Sequence, residues 1–406
     1  MRILYVTGMC APIKDILSGK SENEITGTPA FFHPWHKLVQ RGHQVDFVIL
    51  SNFCSEPDIV VDWFSEDNIV ANIYDPYTEV PPYRRIFRRI KRFLKLLYFT
   101  NKAINETAYD FIYCKSVYEG LAGNIVANLR GIPCGMRSLG TMLYPPVMKY
   151  GAIAAAIMNP LEFLTFRLKK EFFLMTDDGT KGDVVYEKLK SRKKLYDFYF
   201  WKTGISFAEP DVEACTDIVP DHDYLFCAAR FDPWKRQDRV LGILRRLHSR
   251  EKYLHLYLAG DITSKVYRQE IQALVHEYGL DDYVHFLGTI RQDELKLLAH
   301  HAIANPLMYE YSNLGNVFFE SFVIGSVIIG KNDGSLDDYL VDGVSGFLVN
   351  DEDEACLVVE RLLENREMID EIRNNTRAVA RDKFLSIDER FDMEVALIER
   401  TVGSVG

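Results

Sequence analysis

Apolar positions along the chain fall into short unbroken runs that alternate with longer stretches of helical period. Ile3 to Val6 is such a run, of the kind that forms a parallel strand buried on both faces. A loop rich in Gly, Ser, Thr and Pro, Gly8 to Pro29, leads into an amphipathic stretch from about Ala30 to Gln40. Gly42 follows in the position that ends helices. Gln44 to Leu50 reads as a second strand. Strand, helix and strand with short connections is the unit of a doubly wound α/β domain. Asp110–Cys114 and Pro133–Met136 predict further strands of the same sheet, with a helix over Gly120–Arg130 between them.

The second half repeats this grammar. Tyr224–Ala229, Tyr253–Ala259, Val284–Leu287, Val327–Gly330 and Gly346–Val349 read as strands, and Asp238–Arg250, Glu270–Glu277 and Asp293–His300 as helices. The pattern predicts an α/β protein of two doubly wound, Rossmann-like domains. Their boundary is expected between about Ser206 and Asp223, a stretch with two prolines, six acidic residues and little periodicity. The first domain would span 1–206 and the second 207–385, with a C-terminal helix at about 386–406 able to pack back on the first.

Composition narrows the class. A chain of 406 residues is too long for one hydrophobic core, and 48% hydrophobic with 26% charged residues excludes a disordered chain. No apolar run reaches the roughly 18 residues of a spanning helix, and MRILYVTG turns polar too soon for a signal peptide. The seven cysteines are scattered without a C-x-x-C pair, which argues against a disulfide framework or structural zinc and fits a reducing cytoplasm. The net charge of −10 conceals a split. Positions 1–206 carry 27 of the 48 basic and 21 of the 58 acidic residues, leaving 21 and 37 for the remainder. The halves are therefore expected to meet different partners, and the acidic total speaks against a nucleic-acid partner.

Arg230 and Lys235 follow the first strand of the second half in AARFDPWKRQD. Ligands of open α/β sheets sit outside the carboxyl ends of the strands. A guanidinium fork and an ammonium point charge there could converge on one diphosphate, unless the loop is merely solvated. In SNLGNVFFE, Ser312 to Glu320, Gly315 and Asn316 suit a turn whose bare N–H groups meet an anion, ahead of a helix that aims its positive end at it. Glu320 could accept hydrogen bonds from the vicinal hydroxyls of a ribose, or be an ordinary helical acid. Gly27-Thr28-Pro29 is a weaker phosphate turn, since neither G-x-G-x-x-G nor G-x-x-x-x-G-K-[ST] occurs.

Pro82 to Phe99 concentrates seven positive charges between Arg84 and Lys95, with Ile86, Ile90, Phe93, Leu94 and Leu97 on one helical face. Such a helix lies on an anionic membrane surface, or faces the core with a solvated basic back. A second apolar stretch, Val147 to Phe166, is broken by Pro160. Metal-ligand spacing is missing: Asp221-His222-Asp223 and Asp351-Glu352-Asp353 read as turns and caps, and none of the ten histidines stands in H-E-x-x-H. No G-x-S-x-G elbow or Cys/His pair suggests a nucleophile.

In order, FCAARFDPWKRQDRVL, LYLAGD, VHFLGTIRQDEL, SNLGNVFFES and Asp333-Gly334-Ser335 with DGVSGFLV resemble the nucleotide-sugar domain of GT-B-fold glycosyltransferases. The type is retaining family 4, glycosyl transferases group 1, and the resemblance covers about Asp223 to Val349. More loosely, RILYVTG, the GTP before a helix, RGHQVDFV, DFIYCKS and GIPCGMRSLGT resemble that family's acceptor domain. TDDGTKGD and WKTGIS are similar to its last strand and glycine turn.

The resemblance implies two domains facing a central cleft and transfer of a sugar from a nucleoside diphosphate sugar, UDP favoured. Transfer would retain configuration, with no metal or cofactor. It puts Arg230 and Lys235 on the donor diphosphate and the backbone of Gly315, Asn316 and Val317 on the same phosphates, beside Ser312 and Leu314. Glu320 would take the ribose, Ile290 and Arg291 the base, and Gly27 and Thr28 would approach the phosphates from the first domain. Two departures stand out. Ser312 occupies the first Glu position of the family's E-x7-E, with Glu310 two residues earlier as an alternative. The His often found after the strand ending near Met136 is absent. Arg137 and Gly140 stand on that acceptor side, Arg137 either facing a charged acceptor or serving the structure. The expected setting is a lipid-linked acceptor met at the inner face of the plasma membrane, in surface polysaccharide or glycolipid synthesis. A soluble acceptor and a non-catalytic partner subunit are the alternatives.

Overall fold

The structure is a computed structural model that describes residues 1–8, 33–51, 69–74, 82–208, 218–311 and 314–405. The chain divides into two compact units. One comprises Met1–Asp177, Lys181–Gly204 and Ile387–Gly406; the other comprises Asp178–Thr180 and Ile205–Ser386.

The first unit is built on seven parallel strands, β1 (Arg2–Gly8), β2 (Gln44–Ser51), β3 (Ile69–Tyr74), β4 (Phe111–Lys115), β5 (Cys134–Ser138), β6 (Phe172–Thr176) and β7 (Asp197–Trp201). They lie in the order β3-β2-β1-β4-β5-β6-β7, so the winding reverses between β1 and β4. Helices α1 (His33–Gln40), α2 (Pro82–Glu106), α3 (Val117–Arg130), α4 (Tyr144–Met158), α5 (Pro160–Thr165) and α6 (Gly182–Leu189) connect them. Alternation along each strand feeds two cores. Leu4, Val6, Ile112 and Cys114 pack with Leu96 of α2, Ala122 of α3 and Val185 of α6. Ile3, Tyr5, Phe47 and Tyr113 point the other way, onto Trp35 and Leu38 of α1. Burial on both faces is why these strands read as unbroken apolar runs.

The hydrophobic pattern marks none of three strands of this sheet, β3, β6 and β7; the resemblance touches only the ends of two, since TDDGTKGD starts on the last residue of β6 and WKTGIS on the last of β7. β6, FFLMT, is as apolar as β1, but Leu168-Lys169-Lys170-Glu171 before it carries no Gly or Pro to mark a strand boundary. The apolar stretch Val147–Phe166 becomes α4 and α5, and α4 is itself broken at Gly151, φ 84°.

In the second unit β8 (Tyr224–Ala228), β9 (His255–Ala259) and β10 (Val284–Gly288) pair in the order β10-β9-β8. The strands β11 (Asn305–Leu307), β12 (Ile328–Lys331) and β13 (Phe347–Val349) form a second parallel set. A parallel bridge between Leu225 and Ala304 joins β8 to the start of β11, so the winding reverses there. The helices are α7 (Gln237–Ser249), α8 (Lys265–Glu277), α9 (Gln292–His301), α10 (Asn316–Val323), α11 (Glu352–Glu364) and α12 (Arg366–Lys383). Helix α8 starts five residues before the expected Glu270 because the Ser264 side chain caps it, accepting from the Tyr267 N–H at 3.2 Å. The core joins Leu225, Leu256, Leu258 and Ile329 to Leu244 of α7, Ile271 of α8 and Val359 of α11. Gly260, in the AGD turn after β9, has φ +144°, and a Cβ there would lie 2.1 Å from the Ala229 carbonyl oxygen. Glycine is thus required where the ends of β8 and β9 meet.

A last helix, α13 (Ile387–Val405), belongs to the first unit, where Val395 and Ile398 pack with Trp35. The four described cysteines, Cys114, Cys134, Cys227 and Cys356, are buried and unpaired as disulfides.

Candidate functional site

The reversal between β8 and β11 places their carboxyl ends side by side in the second unit, which is where open α/β sheets bind ligands. After β8, Arg230 is exposed and makes no ion pair among the described residues. Lys235 closes a single 3-10 turn, Pro233–Lys235, and its ammonium lies 3.9 Å from the ring centroid of Tyr309, just beyond β11. Burial, and then the neighbouring Arg230, push the Lys235 ammonium down to about 8; Cys227, Asp178 and Asp232 pull it back only in part. Two cations thus share a half-buried corner in which burial and their own proximity disfavour the charge on Lys235. Glu310 N–H donates to the Trp234 carbonyl at 2.8 Å, and Leu314 N–H to the Asp178 carbonyl at 3.2 Å, so backbone bonds hold the two loops in place.

Helix α10 opens at the same end. Gly315 is its N-cap residue, with extended backbone and no side-chain cap, and the space beside its Cα is open. Among the described residues, the first N–H groups of α10, at Asn316 and Val317, therefore have no side-chain cap of the kind that commonly serves them. Glu320 accepts a hydrogen bond from Gln292 Nε2 at 2.9 Å. Burial pushes its carboxyl above the usual range, against the pull of Gln292 and Lys296. Gln292 starts α9, and Ile290 just before it packs in the same cluster as Val317. Arg291 caps α9, its N–H donating to Glu294 at 2.7 Å, with its side chain largely exposed.

The structure therefore gathers Arg230, Lys235, Leu314, Gly315, Asn316, Val317, Glu320, Ile290 and Arg291 around the carboxyl ends of β8, β10 and β11. Gly27, Thr28 and Ser312 lie outside the described residues. Glu310, the alternative to Ser312, is committed elsewhere. Its carboxylate lies 3.1 Å from Arg236, 3.3 Å from Arg239 and 3.5 Å from Lys331.

In the first unit, Arg137 takes the structural one of its two readings. It is 1% exposed, and its Nη1 donates to both carboxylate oxygens of Glu394 of α13, at 2.8 and 2.7 Å. Arg390 and the Tyr113 hydroxyl bond the same carboxylate. Burial alone would raise the Glu394 carboxyl, but Arg137 and Arg390 outweigh it and hold it below the usual range. Gly140 has φ +145°, and its carbonyl accepts from Ser138 Oγ at 2.7 Å. The sequence reading missed Glu119, in the first turn of α3, at the reversal between β1 and β4. Its Oε1 would lie 2.9 Å from a Cβ on Gly8, and burial pushes its carboxyl up against the pull of its own backbone amide, Arg92 and Lys115. An acid at the start of a helix after DFIYCKS is the signal that was available.

Helix α2 is apolar on two sides rather than one. Phe93, Leu96 and Leu97 pack inward, Phe93 edge-on to Tyr118 at 5.5 Å, while Phe87, Ile90, Leu94 and Tyr98 are exposed on the other side. The expected single face over Ile90, Phe93, Leu94 and Leu97 is thus split; the side chains of Arg84, Arg85 and Ile86 lie outside the described residues. Helix α4 exposes Met148, Tyr150, Ile153 and Ile157 as well, the last two at 80% and 76%. Among the described residues no helix is long and apolar enough to cross a membrane.

Residues 211–379 match the Glycosyl transferases group 1 family. The match lies within the second unit, and the residues from Arg230 to Glu320 described above all fall inside it. A GDP-mannose-dependent alpha-(1-6)-phosphatidylinositol monomannoside mannosyltransferase of Mycobacterium tuberculosis is 28% identical over 152 residues, 35% of this chain and 38% of that protein. A trehalose synthase of Pyrococcus horikoshii is 25% identical over 175 residues, 42% of each chain. The chain spans about two fifths of the length of the curated relatives it matches. Solved structures match over the whole chain. Sucrose-phosphate synthase from Thermosynechococcus elongatus gives a TM-score of 0.74 at 15% identity, covering 100% of both chains. Anabaena HepE in complex with UDP and glucose gives 0.66 at 14%, also covering 100% of both. These likenesses establish the fold, GT-B with two Rossmann-like domains.

Proposed function

We propose that this protein is a glycosyltransferase that moves a sugar from a nucleoside diphosphate sugar to an acceptor with retention of configuration. The observation that carries the reading is the Arg230–Lys235 corner beside the open N-terminus of α10, inside the stretch that matches the group 1 family. Two cations and a helix end already in place favour the charge that grows on a departing diphosphate, with little reorganisation during the step. HepE, solved with UDP and glucose, supports a nucleotide-sugar donor, with UDP the first base to try. Glu320 takes the ribose hydroxyls, and Ile290 and Arg291 lie beside the base. In the transfer the anomeric carbon–phosphate oxygen bond breaks as the acceptor oxygen bonds on the same face. The acceptor proton passes to the departing phosphate oxygen, so neither a protein nucleophile nor a metal is needed. Arg137 has no part in this chemistry, and Gly140 shapes the turn on the acceptor side.

The acceptor in this reading is lipid-linked. The exposed apolar residues of α2 and α4, with Lys91 and Lys95 beside those of α2, suit peripheral docking on the anionic inner face of a plasma membrane. The mannosyltransferase relative, named for a phosphatidylinositol mannoside, supports a glycolipid setting. The test is transfer of radiolabelled sugar from UDP-, GDP- and ADP-sugars into bacterial lipid extracts and, separately, into soluble oligosaccharides. Label in the lipid phase that Lys235→Ala removes supports the reading. Label in the soluble pool alone overturns the lipid acceptor, and label in neither overturns the transferase.

A further inference from the structure

The three strands β8, β9 and β10 each bring one histidine to their amino-terminal ends, away from the Arg230–Lys235 corner. His222 precedes β8, His255 opens β9 and His285 is the second residue of β10. Parallel register sets them together: Tyr224 pairs with His255, and Tyr257 with His285. One nitrogen from each ring lies within 4.8 Å of the other two. Nδ1 of His255 and Nε2 of His285 are 2.9 Å apart, and the rings of His222 and His255 have centroids 3.9 Å apart. Around His222, Nε2 is 3.1 Å from the Tyr257 hydroxyl and Nδ1 is 3.4 Å from the Asp221 carboxylate.

We propose that His222, His255 and His285 hold one divalent transition-metal ion, with zinc the best match to three imidazoles and an open fourth position. Zinc–nitrogen bonds of about 2.0–2.1 Å put the ligand nitrogens of a tetrahedron about 3.4 Å apart. The separations here need only small ring rotations to reach that, opening the 2.9 Å pair and drawing His222 in. The histidines come from adjacent strands of one sheet, so their backbones are held before any ion arrives. Asp221 beside Nδ1 is the kind of partner that fixes a ligating histidine through its second nitrogen, leaving His222 Nε2 for the ion in place of the Tyr257 hydroxyl. His222 is exposed, so a water from solvent completes the shell. The ion clamps the start of β8 to β9 and β10 and takes no part at the carboxyl ends where the donor corner lies. Linear spacing could not disclose this site, because each ligand stands alone in sequence and strand register assembles them.

The test uses the full chain, stripped with a chelator and dialysed, with the metal alone as probe. Titration with cobalt(II) should give the visible absorption of a four-coordinate ion at one equivalent, and zinc should displace it. Zinc should also raise the unfolding temperature of the wild type. His222→Ala removes an exposed side chain before the strand, so its metal-free unfolding temperature should match the wild type. It should bind zinc at least tenfold more weakly, as should His255→Ala, whereas His276→Ala, at an exposed position of α8, should bind normally. No cobalt absorption and no zinc shift in the wild type would overturn the proposal. So would equal zinc affinity in the wild type, His222→Ala and His255→Ala, which would leave the histidines as a stacked edge with Tyr257.

Discussion

Removing the Lys235 ammonium should separate binding from stability. Burial and Arg230 hold this lysine at about 8 instead of 10.5, which corresponds to about 3 kcal/mol against its charged form. A diphosphate that offsets this restores the ordinary value and recovers that energy as affinity. Lys235→Ala should therefore weaken the nucleoside diphosphate roughly a hundredfold, read by isothermal titration with whichever of UDP, GDP or ADP binds the wild type. The wild-type affinity should also fall as pH rises above about 8, by up to about tenfold per unit, because the free protein must then take up a proton on binding; Lys235→Ala should lose that slope. Stability moves the other way. Between about 8 and 10.5 the unfolded chain holds the proton and the folded one does not, so Lys235 lowers stability below pH 8 and ceases to as pH rises through that window. Lys235→Met, which keeps apolar contact with Tyr309, should unfold no lower than the wild type at pH 7. Nucleotide affinity within threefold of wild type in Lys235→Ala, or a pH-independent wild type, would refute the reasoning.

The other predictions concern backbone space, the buried pair and the membrane face. Gly315→Ala meets no atom within 4 Å and keeps an extended backbone, so stability should change by less than about 0.5 kcal/mol. Its methyl would nevertheless stand beside the N–H groups of α10, and titration should show nucleotide affinity down at least tenfold. Glu394→Gln leaves Arg137 and Arg390 buried without their counter-charge and should cost about 3–5 kcal/mol by urea denaturation. Because the Glu394 carboxyl is held low, its contribution is complete above the unfolded value of about 4.3 and is lost as pH falls through the folded value. The variant should therefore show a flatter acid limb. Lys91→Glu with Lys95→Glu should reduce sedimentation with anionic liposomes in low salt, at about 1 kcal/mol for each lysine lost, and leave neutral liposomes unaffected.

The doubly wound fold was legible because β1, β2 and β8 are apolar runs bounded by Gly, Pro or polar turns, and burial on both faces needs no more than that. β6 and β7 escaped because the segments that lead into FFLMT and DFYFW are rich in lysine and carry no Gly or Pro to mark where the strands begin. The corner after β8 was visible as charge after a strand, whereas its depressed lysine was not: that depends on how deeply the fold buries the ammonium, over the Tyr309 ring, and on Arg230 lying beside it. For Arg137 both readings were open in sequence, and Glu394, 257 positions away, decides between them. The three histidines were hidden for a related reason. Their neighbours are set by which strands lie side by side, information that no local spacing carries.

The central claim is a nucleoside diphosphate bound at the carboxyl ends of β8 and β11. Titrating UDP, GDP and ADP in parallel into the wild type and into Arg230→Ala/Lys235→Ala tests it most directly. The account predicts that one diphosphate binds the wild type at a single equivalent, clearly tighter than the other two, and that the double variant loses it while unfolding at no lower temperature. Binding of none of the three, or equal binding to both proteins, would contradict it.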